Sequence, residues 1–112
     1  MLQFETYYHI YNHANGDDNL FREEKNYRFF LRKYHQHIDV IADTLAWCLM
    51  PNHFHLLVKI KSAEAIAATC LKFQTLDQLE ARTAFLSKQL ANFSAAIRRR
   101  LIKYINDVAL YL

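Results

Sequence analysis

The chain has little glycine and little proline. Gly16 and Pro51 are the single members of these two residue types among 112 residues. Because glycine and proline are the residues that most often interrupt helices and strands, their scarcity predicts few loops and long elements. The sequence has no internal repeat, linker or low-complexity segment, and its length suits one domain over residues 1–112.

Cysteines and long apolar runs are scarce as well. Cys48 and Cys70 both lie inside apolar runs, without the short spacing of a metal site. We therefore expect two buried thiols in a reducing compartment and no disulfide framework. No apolar run reaches the roughly 18 residues of a membrane span, and no secretory signal opens the chain. We expect a cytoplasmic protein that has no membrane partner.

The composition is that of a folded protein, with 53% hydrophobic residues, 22% charged residues and a net charge of +3. The basic residues concentrate in two places. Each cluster is either a solvated helix face or a contact surface for phosphates, and the sequence leaves both interpretations open. The two clusters are Arg98, Arg99, Arg100 and Lys103 near the C-terminus, and Arg28, Arg32 and Lys33 in the first half.

Hydrophobic periodicity predicts the order β-α-β-β-α. Residues 4–13 are rich in aromatics and predict a strand, 19–37 a helix, and 38–50 and 53–61 two strands joined at Pro51 and Asn52. Everything after Ser62 is predicted to be helical. Such an order favours an α+β fold, a ferredoxin-like antiparallel sheet backed by helices. One apolar stripe at helical spacing should form a buried helix face: Leu86, Leu90, Phe93, Ile97, Leu101, Tyr104 and Val108.

Two histidines stand one residue apart in the third predicted strand. Alternate residues of a strand share a face, so His53 and His55 point one way while Phe54 points towards the helices. Their Cβ atoms should be about 7 Å apart, close enough for both rings to bind one ion. The pair therefore predicts a half-site for a divalent metal, which leaves positions open for a substrate oxygen. A third ligand could be His9, His13 or a residue of the last helix. The alternative is two surface histidines beside a turn.

The stretch CLMPNHFHLLV over residues 48–58 resembles the signature of the HUH single-strand transposases, above all the REP-associated tyrosine transposase branch. The motif is two histidines around a bulky hydrophobe, here Phe54. The resemblance extends to the first strand and first helix, through YHIYN over residues 8–12 and the Asn15-Gly16 turn. Where the family usually carries arginine, this chain has His13. In all, residues 4–93 look like the family.

The resemblance implies a function. Members of this family bind a hairpin in single-stranded DNA and cut beside it without hydrolysis. A tyrosine attacks the scissile phosphate and forms a 5′-phosphotyrosine, assisted by Mg²⁺ or Mn²⁺. The implied partner is therefore hairpin DNA and the implied cofactor a divalent ion held by His53 and His55.

The nucleophile motif departs from the family pattern, Tyr-Ile-x-x-Asn-Pro. Tyr104 and Ile105 match it, but Val108 and Ala109 replace the asparagine and the proline. Tyr104 is the predicted catalytic residue, with Tyr111 as a substitute, and Tyr104 also fits the apolar stripe as a core residue. Three functions stay open: an active DNA-nicking transposase, an inactive, truncated remnant that only binds hairpin DNA, and a metalloprotein or interaction module that binds no nucleic acid.

The predicted packing also bears on assembly. A tyrosine on the last helix would lie on the sheet face opposite the histidines, out of their reach within one chain. Relatives that resemble this chain solve the problem by dimerising, and a dimer would bury a sheet edge. We therefore expect a homodimer.

Overall fold

The computed structural model describes residues 2–14 and 18–101, and the backbone of residues 109–111. The predicted site residues Lys103 and Tyr104 lie outside the described residues, as do Val108 and the predicted Asn15-Gly16 turn. The chain forms four strands and four helices within the described ranges. They are β1 (Tyr7–His13), α1 (Glu24–His37), β2 (Ala42–Met50), β3 (His53–Ile60), α2 (Ala63–Thr69), α3 (Leu71–Gln74), α4 (Leu79–Leu101) and β4 (Ala109–Tyr111).

The strands form one sheet in the order β2-β3-β1-β4. β3 is antiparallel to both β1 and β2, and β4 is antiparallel to β1. β1 and β2 are therefore parallel to each other, with β3 inserted between them. This is the split β-α-β arrangement of ferredoxin-like folds, and it confirms the predicted fold class.

Within the described part of the chain, the helices cover one face of the sheet and leave the other open. In β3 the buried residues are Phe54, Leu56, Val58 and Ile60, which alternate with more exposed neighbours. β1 shows the same alternation, with Tyr8, Ile10 and Asn12 buried. Since alternate side chains point to opposite faces, His53 and His55 lie on the open face, as the sequence predicted.

Aromatic side chains join the two long helices to the sheet. Phe30 of α1 is fully buried, and its ring centre lies 5.0 Å from that of Phe54 and 5.3 Å from that of Phe93 in α4. The contact with Phe93 is edge-to-face, at 75° between the ring planes. This geometry is favourable because the ring edge and the ring face carry opposite partial charges. The predicted stripe is confirmed from Leu86 to Leu101: Leu86, Phe93 and Ile97 are buried, and Leu90 and Leu101 pack against the core. Its last two members, Tyr104 and Val108, lie outside the described residues.

Several predicted boundaries were too wide, each for a local reason. β1 begins at Tyr7 because Phe4 and Glu5 form a turn, in which Glu5 has a φ of 55°. α1 begins at Glu24 instead of residue 19, because the N–H groups of Leu20 and Phe21 donate to the carbonyl of Pro51. β2 begins only at Ala42, since the turn that ends α1 occupies residues 38–41.

Two further predictions were wrong. The segment after Ser62 is not helical throughout, because Ala109–Tyr111 form β4 and pair with β1. That pairing satisfies backbone groups along an edge of β1 that would otherwise lack partners. Cys48 is exposed, not buried, because β2 is an edge strand and Cys48 lies opposite His55 on the open face, while Cys70 is half-buried.

No helix in the described part of the chain is both long enough and apolar enough to cross a membrane.

The aromatic core predicts that substitutions on the two faces of β3 differ greatly in their effect on the free energy of unfolding. Phe54→Ala should lower the free energy of unfolding by about 3–5 kcal/mol, because it leaves a cavity beside Phe30. Leu57→Ala is the matched control on the open face, where Leu57 is 40% exposed; it should cost less than about 1 kcal/mol. Urea denaturation followed by circular dichroism measures both. Equal losses from the two variants would contradict the assignment of the faces.

Candidate functional site

Four imidazoles meet on the open face of the sheet. His9 and His13 come from β1, His53 and His55 from β3. In the register of these strands His13 lies opposite His53, and Tyr11 lies opposite His55. Directly opposed residues of an antiparallel pair share a face, so two alternating strands bring five ring side chains together.

His53 and His55 are neighbours along one strand face. Their ring centres are 5.3 Å apart and their planes are at 80°. Both residues are half-buried. The two rings are therefore close enough to bind one ion, while the edge of each remains within reach of solvent.

His55 is paired with His9. The Nε2 atom of His9 lies 2.8 Å from the Nδ1 atom of His55, and the two rings are stacked with centres 5.0 Å apart. Tyr11 flanks both rings, at 5.0 Å from His9 and 5.7 Å from His55. A hydrogen bond between two imidazole nitrogens needs a proton on one and a lone pair on the other. One of the two facing nitrogens therefore carries the shared proton, and the other provides the lone pair.

The surroundings of His55 lower its pKa below the usual value for histidine. Partial burial is the main cause, and the positive charges of protonated His9 and His53 add to it. Both causes disfavour the imidazolium cation, so His55 is more fully neutral at neutral pH than an isolated histidine is. The neutral ring is the form that binds a metal ion.

Asn52 connects the other two histidines. Its Oδ1 atom lies 2.8 Å from Nδ1 of His53, and its Nδ2 atom lies 3.5 Å from Nε2 of His13. The Nδ1 atom of His13 lies 2.6 Å from the carbonyl oxygen of Ala14. The rings of His13 and His53 are stacked, with centres 5.4 Å apart and planes within 7°.

The donor set fits half of a metal site. Ligating histidines usually place the nitrogen that does not bind the metal in a hydrogen bond, as both His53 and His55 do here. Among the described residues no group of three or more histidine, cysteine, aspartate or glutamate side chains could hold a metal ion. A third protein ligand from His9 or His13, which the sequence left open, is thus not provided by this arrangement.

Described residues from both predicted basic clusters come together on the helical side. Arg100 of α4 lies over the ring of Phe29 in α1, with its guanidinium carbon 5.2 Å from the ring centre. Arg32 and Lys33 lie 5.6 and 5.8 Å from the same centre. Phe29, Arg32 and Arg100 belong to a basic cavity of about 380 Å³. The cavity is lined by Lys25, Asn26, Arg28, Phe29, Arg32 and Arg100.

Arg28, Arg98 and Arg99 are the remaining arginines of the two predicted clusters, and Arg28 also lines this cavity. Arg98 and Arg99 are exposed in the last turn of α4. Arg28 is 3.2 Å from Glu24, an exposed ion pair of the kind that contributes little to stability.

The basic cavity and the histidines lie at the same end of the sheet but on opposite sides of it. The N–H groups of Leu20 and Phe21 bond to Pro51, so α1 begins beside the turn that joins β2 to β3. His53 is the first residue after that turn. A ligand that touched both regions would pass around this end of the molecule.

An apolar groove that the sequence did not predict lies along the edge strand β2. Trp47 is 69% exposed and Leu31 is 50% exposed on its two sides. The sequence predicted a strand here but not its exposure. The edge position of β2 follows from the strand order, which hydrophobic periodicity does not report. The groove is lined by Phe30, Leu31, Tyr34, Thr44, Trp47, Leu49 and Leu56.

The structure describes only one of the two candidate nucleophiles, and that one by its backbone. Tyr104 lies outside the described residues, and the Cα of Tyr111 pairs with that of His9. Sequence reasoning missed Tyr11, which lies among the histidine rings. Its position two residues from both His9 and His13 was the available signal, because alternate strand residues share a face.

Comparisons with known proteins give one informative similarity. No protein-family model matches the chain, and no curated protein matches it. The chain is similar to the solved structure of a REP-associated tyrosine transposase bound to a REP hairpin, with a TM-score of 0.54 and 11% sequence identity. The match covers 99% of this chain and 58% of that chain, so the chain spans somewhat over half of the neighbour's length. At this identity the similarity shows a shared fold.

Proposed function

We propose that the chain binds a hairpin of single-stranded DNA and nicks and rejoins it through a 5′-phosphotyrosine. The observation that carries the proposal is the position of His53 and His55, side by side on an open sheet face at the same end as a basic cavity. The similar fold of a hairpin-bound transposase supports it.

The basic cavity supplies the DNA contacts. Arg32 and Arg100 come from different helices and converge on Phe29, so their charges act on one region of the surface. Guanidinium groups suit phosphate because their N–H groups can bond two oxygens at once. Arg98, Arg99, Arg28 and Lys33 extend the same surface, and Lys103 follows Arg99 by four residues in the sequence.

A divalent ion, Mg²⁺ or Mn²⁺, would be held by His53 and His55. When bound, it would polarise a phosphate oxygen and offset the negative charge of the reacting group. Imidazole ligands favour Mn²⁺, since Mg²⁺ prefers oxygen ligands. His9 and Asn52 orient the two imidazoles through the hydrogen bonds at their Nδ1 atoms.

The covalent step exchanges one phosphodiester bond for another. The phenol oxygen of Tyr104 attacks the scissile phosphorus as it loses its proton, and the bond between phosphorus and the 3′ oxygen breaks. The 3′ oxygen leaves as a hydroxyl after taking up a proton. Because the phosphotyrosine retains the energy of the phosphodiester bond, the reverse attack by a 3′-hydroxyl rejoins DNA without a further energy source.

The active site is shared between two subunits of a homodimer. Trp47 and Leu45 are exposed large apolar residues of β2, and an unpaired apolar edge strand is a natural site of association. A shared site would let the tyrosine of one subunit serve the histidines of the other.

A second candidate function is that of an inactive, truncated remnant that binds hairpin DNA without cutting it. One observation favours it. Val108 and Ala109 replace the asparagine and proline of the nucleophile motif. Both functions share the DNA interface and differ in the covalent step.

The DNA interface predicts a salt dependence that two arginines control. Arg32→Ala/Arg100→Ala should reduce the slope of log affinity against log salt by about 1.4, since each phosphate contact to a single strand contributes roughly 0.7. Lys72→Ala/Lys88→Ala removes the same charge from exposed positions away from the cavity and should leave the slope unchanged. Fluorescence anisotropy with a labelled hairpin measures the slopes. A similar loss in both double variants would mean that only net charge matters.

The covalent step predicts a protein–DNA adduct that survives boiling in detergent. Wild type should form this adduct with a hairpin oligonucleotide and Mn²⁺, and Tyr104→Phe and His53→Ala should not. Tyr7→Phe is the matched control, because Tyr7 is an exposed tyrosine of β1, and it should form the adduct as wild type does. Mixing these two inactive variants should restore the adduct if subunits share the site.

Each alternative gives a different result in this experiment. An adduct that persists in Tyr104→Phe and disappears in Tyr111→Phe would identify Tyr111 as the nucleophile. Hairpin binding without any adduct from wild type would establish the second candidate function. No restoration in the mixture would contradict the shared site.

A further inference from the structure

Asn52 lies between two histidines whose protons it can order. One side of its amide faces Nε2 of His13 at 3.5 Å, and the other faces Nδ1 of His53 at 2.8 Å. The backbone holds the group in place, because the carbonyl of Asn52 accepts a hydrogen bond of 2.8 Å from the N–H of Ala14. Ala14 is also the residue whose carbonyl contacts the ring of His13.

The direction of the hydrogen bond between the His13 ring and Ala14 is fixed by chemistry. A backbone carbonyl can only accept, so Nδ1 of His13 must donate its proton to the oxygen of Ala14, 2.6 Å away. A neutral imidazole carries one proton, and Nε2 of His13 therefore has a lone pair. That nitrogen can only accept a hydrogen bond.

The lone pair of His13 then orients the amide of Asn52. If the NH₂ group of Asn52 faces Nε2 of His13, it can donate a hydrogen bond to the lone pair there. If the amide oxygen faced Nε2 instead, two lone pairs would repel each other. With the NH₂ group on the His13 side, the oxygen lies 2.8 Å from Nδ1 of His53. Since an amide oxygen only accepts, Nδ1 of His53 carries the proton and its Nε2 atom has the lone pair.

We propose that Asn52 is a positioning residue that fixes His53 as the Nδ1–H tautomer and so makes Nε2 its metal-binding nitrogen. The inference rests on the proposed function for the presence of the metal, but the tautomer is a property of the metal-free chain. A histidine whose tautomer is fixed in advance binds an ion without first moving a proton.

His55 provides the internal contrast. Its Nδ1 atom faces Nε2 of His9, and each of these nitrogens can be the donor or the acceptor. Because both partners are imidazoles, neither nitrogen is restricted to accepting, unlike the amide oxygen that faces His53. Asn52 therefore acts on His53 and not on His55. Removing the Asn52 side chain should change the tautomer of His53 alone.

The tautomers are measured on metal-free protein labelled with ¹⁵N-histidine, by long-range ¹H–¹⁵N correlation at a pH near 8, above the usual imidazole pKa of about 6.5. In wild type, His53 should be the Nδ1–H form. Asn52→Asp should keep that form, because a carboxylate also accepts from Nδ1. Asn52→Ala should give a mixture of both tautomers. An Nε2–H form in wild type, or an unchanged tautomer in Asn52→Ala, would overturn the inference.

Titration with Mn²⁺ separates this inference from the proposed function. Asn52→Ala should weaken Mn²⁺ binding about tenfold, the usual loss when the partner of a ligating histidine is removed, and Asn52→Asp should restore it. Wild type that binds no Mn²⁺ would refute the metal part of the proposed function. The tautomers of the metal-free protein would then still decide the role of Asn52. Equal losses in both variants, with correct folding, would overturn that role.

Discussion

The alternation of side chains along β3 is the constraint on which the rest of the structure depends. Phe54 is fully buried against Phe30, and this burial fixes the rotation of the strand. Its neighbours in sequence, His53 and His55, must then point to the open face. A shift of one residue would bury two imidazoles and expose the aromatic core, at a cost of several kcal/mol. The core therefore sets the position of the site.

Hydrogen bonding across the strands determines what surrounds the two histidines. The register of β1 against β3 places His13 beside His53 and Tyr11 beside His55. The turn at Pro51 and Asn52 ties the loop before α1 to the same end of the sheet, and the aromatic contacts of Phe93 align α4 with α1. As a result, Arg28 and Arg32 of α1 and Arg100 of α4 line one cavity. Residues from two sequence clusters meet because the two helices pack together.

Much of this arrangement followed from the sequence, and the reason differs by feature. Period-two alternation gave the faces of β3, and helical spacing gave the buried stripe of α4, because both are local properties of the chain. Three features depend on strand order or register, which local patterns do not contain: the exposed edge with Cys48 and Trp47, the pairing of His9 with His55, and β4. The role of Asn52 needed atomic distances, since it depends on which nitrogen faces which oxygen.

The central claim is that His53 and His55 together hold a divalent ion on the open face of the sheet. Mn²⁺ is paramagnetic and broadens the NMR signals of nuclei near it, so a titration of ¹⁵N-histidine-labelled protein tests the claim directly, even if binding is weak. The ring signals of His53 and His55 should broaden at substoichiometric Mn²⁺, before those of His35 in α1. In His53→Ala the signals of His55 and His35 should broaden at similar Mn²⁺ concentrations. Uniform broadening of all histidines in wild type would contradict the account.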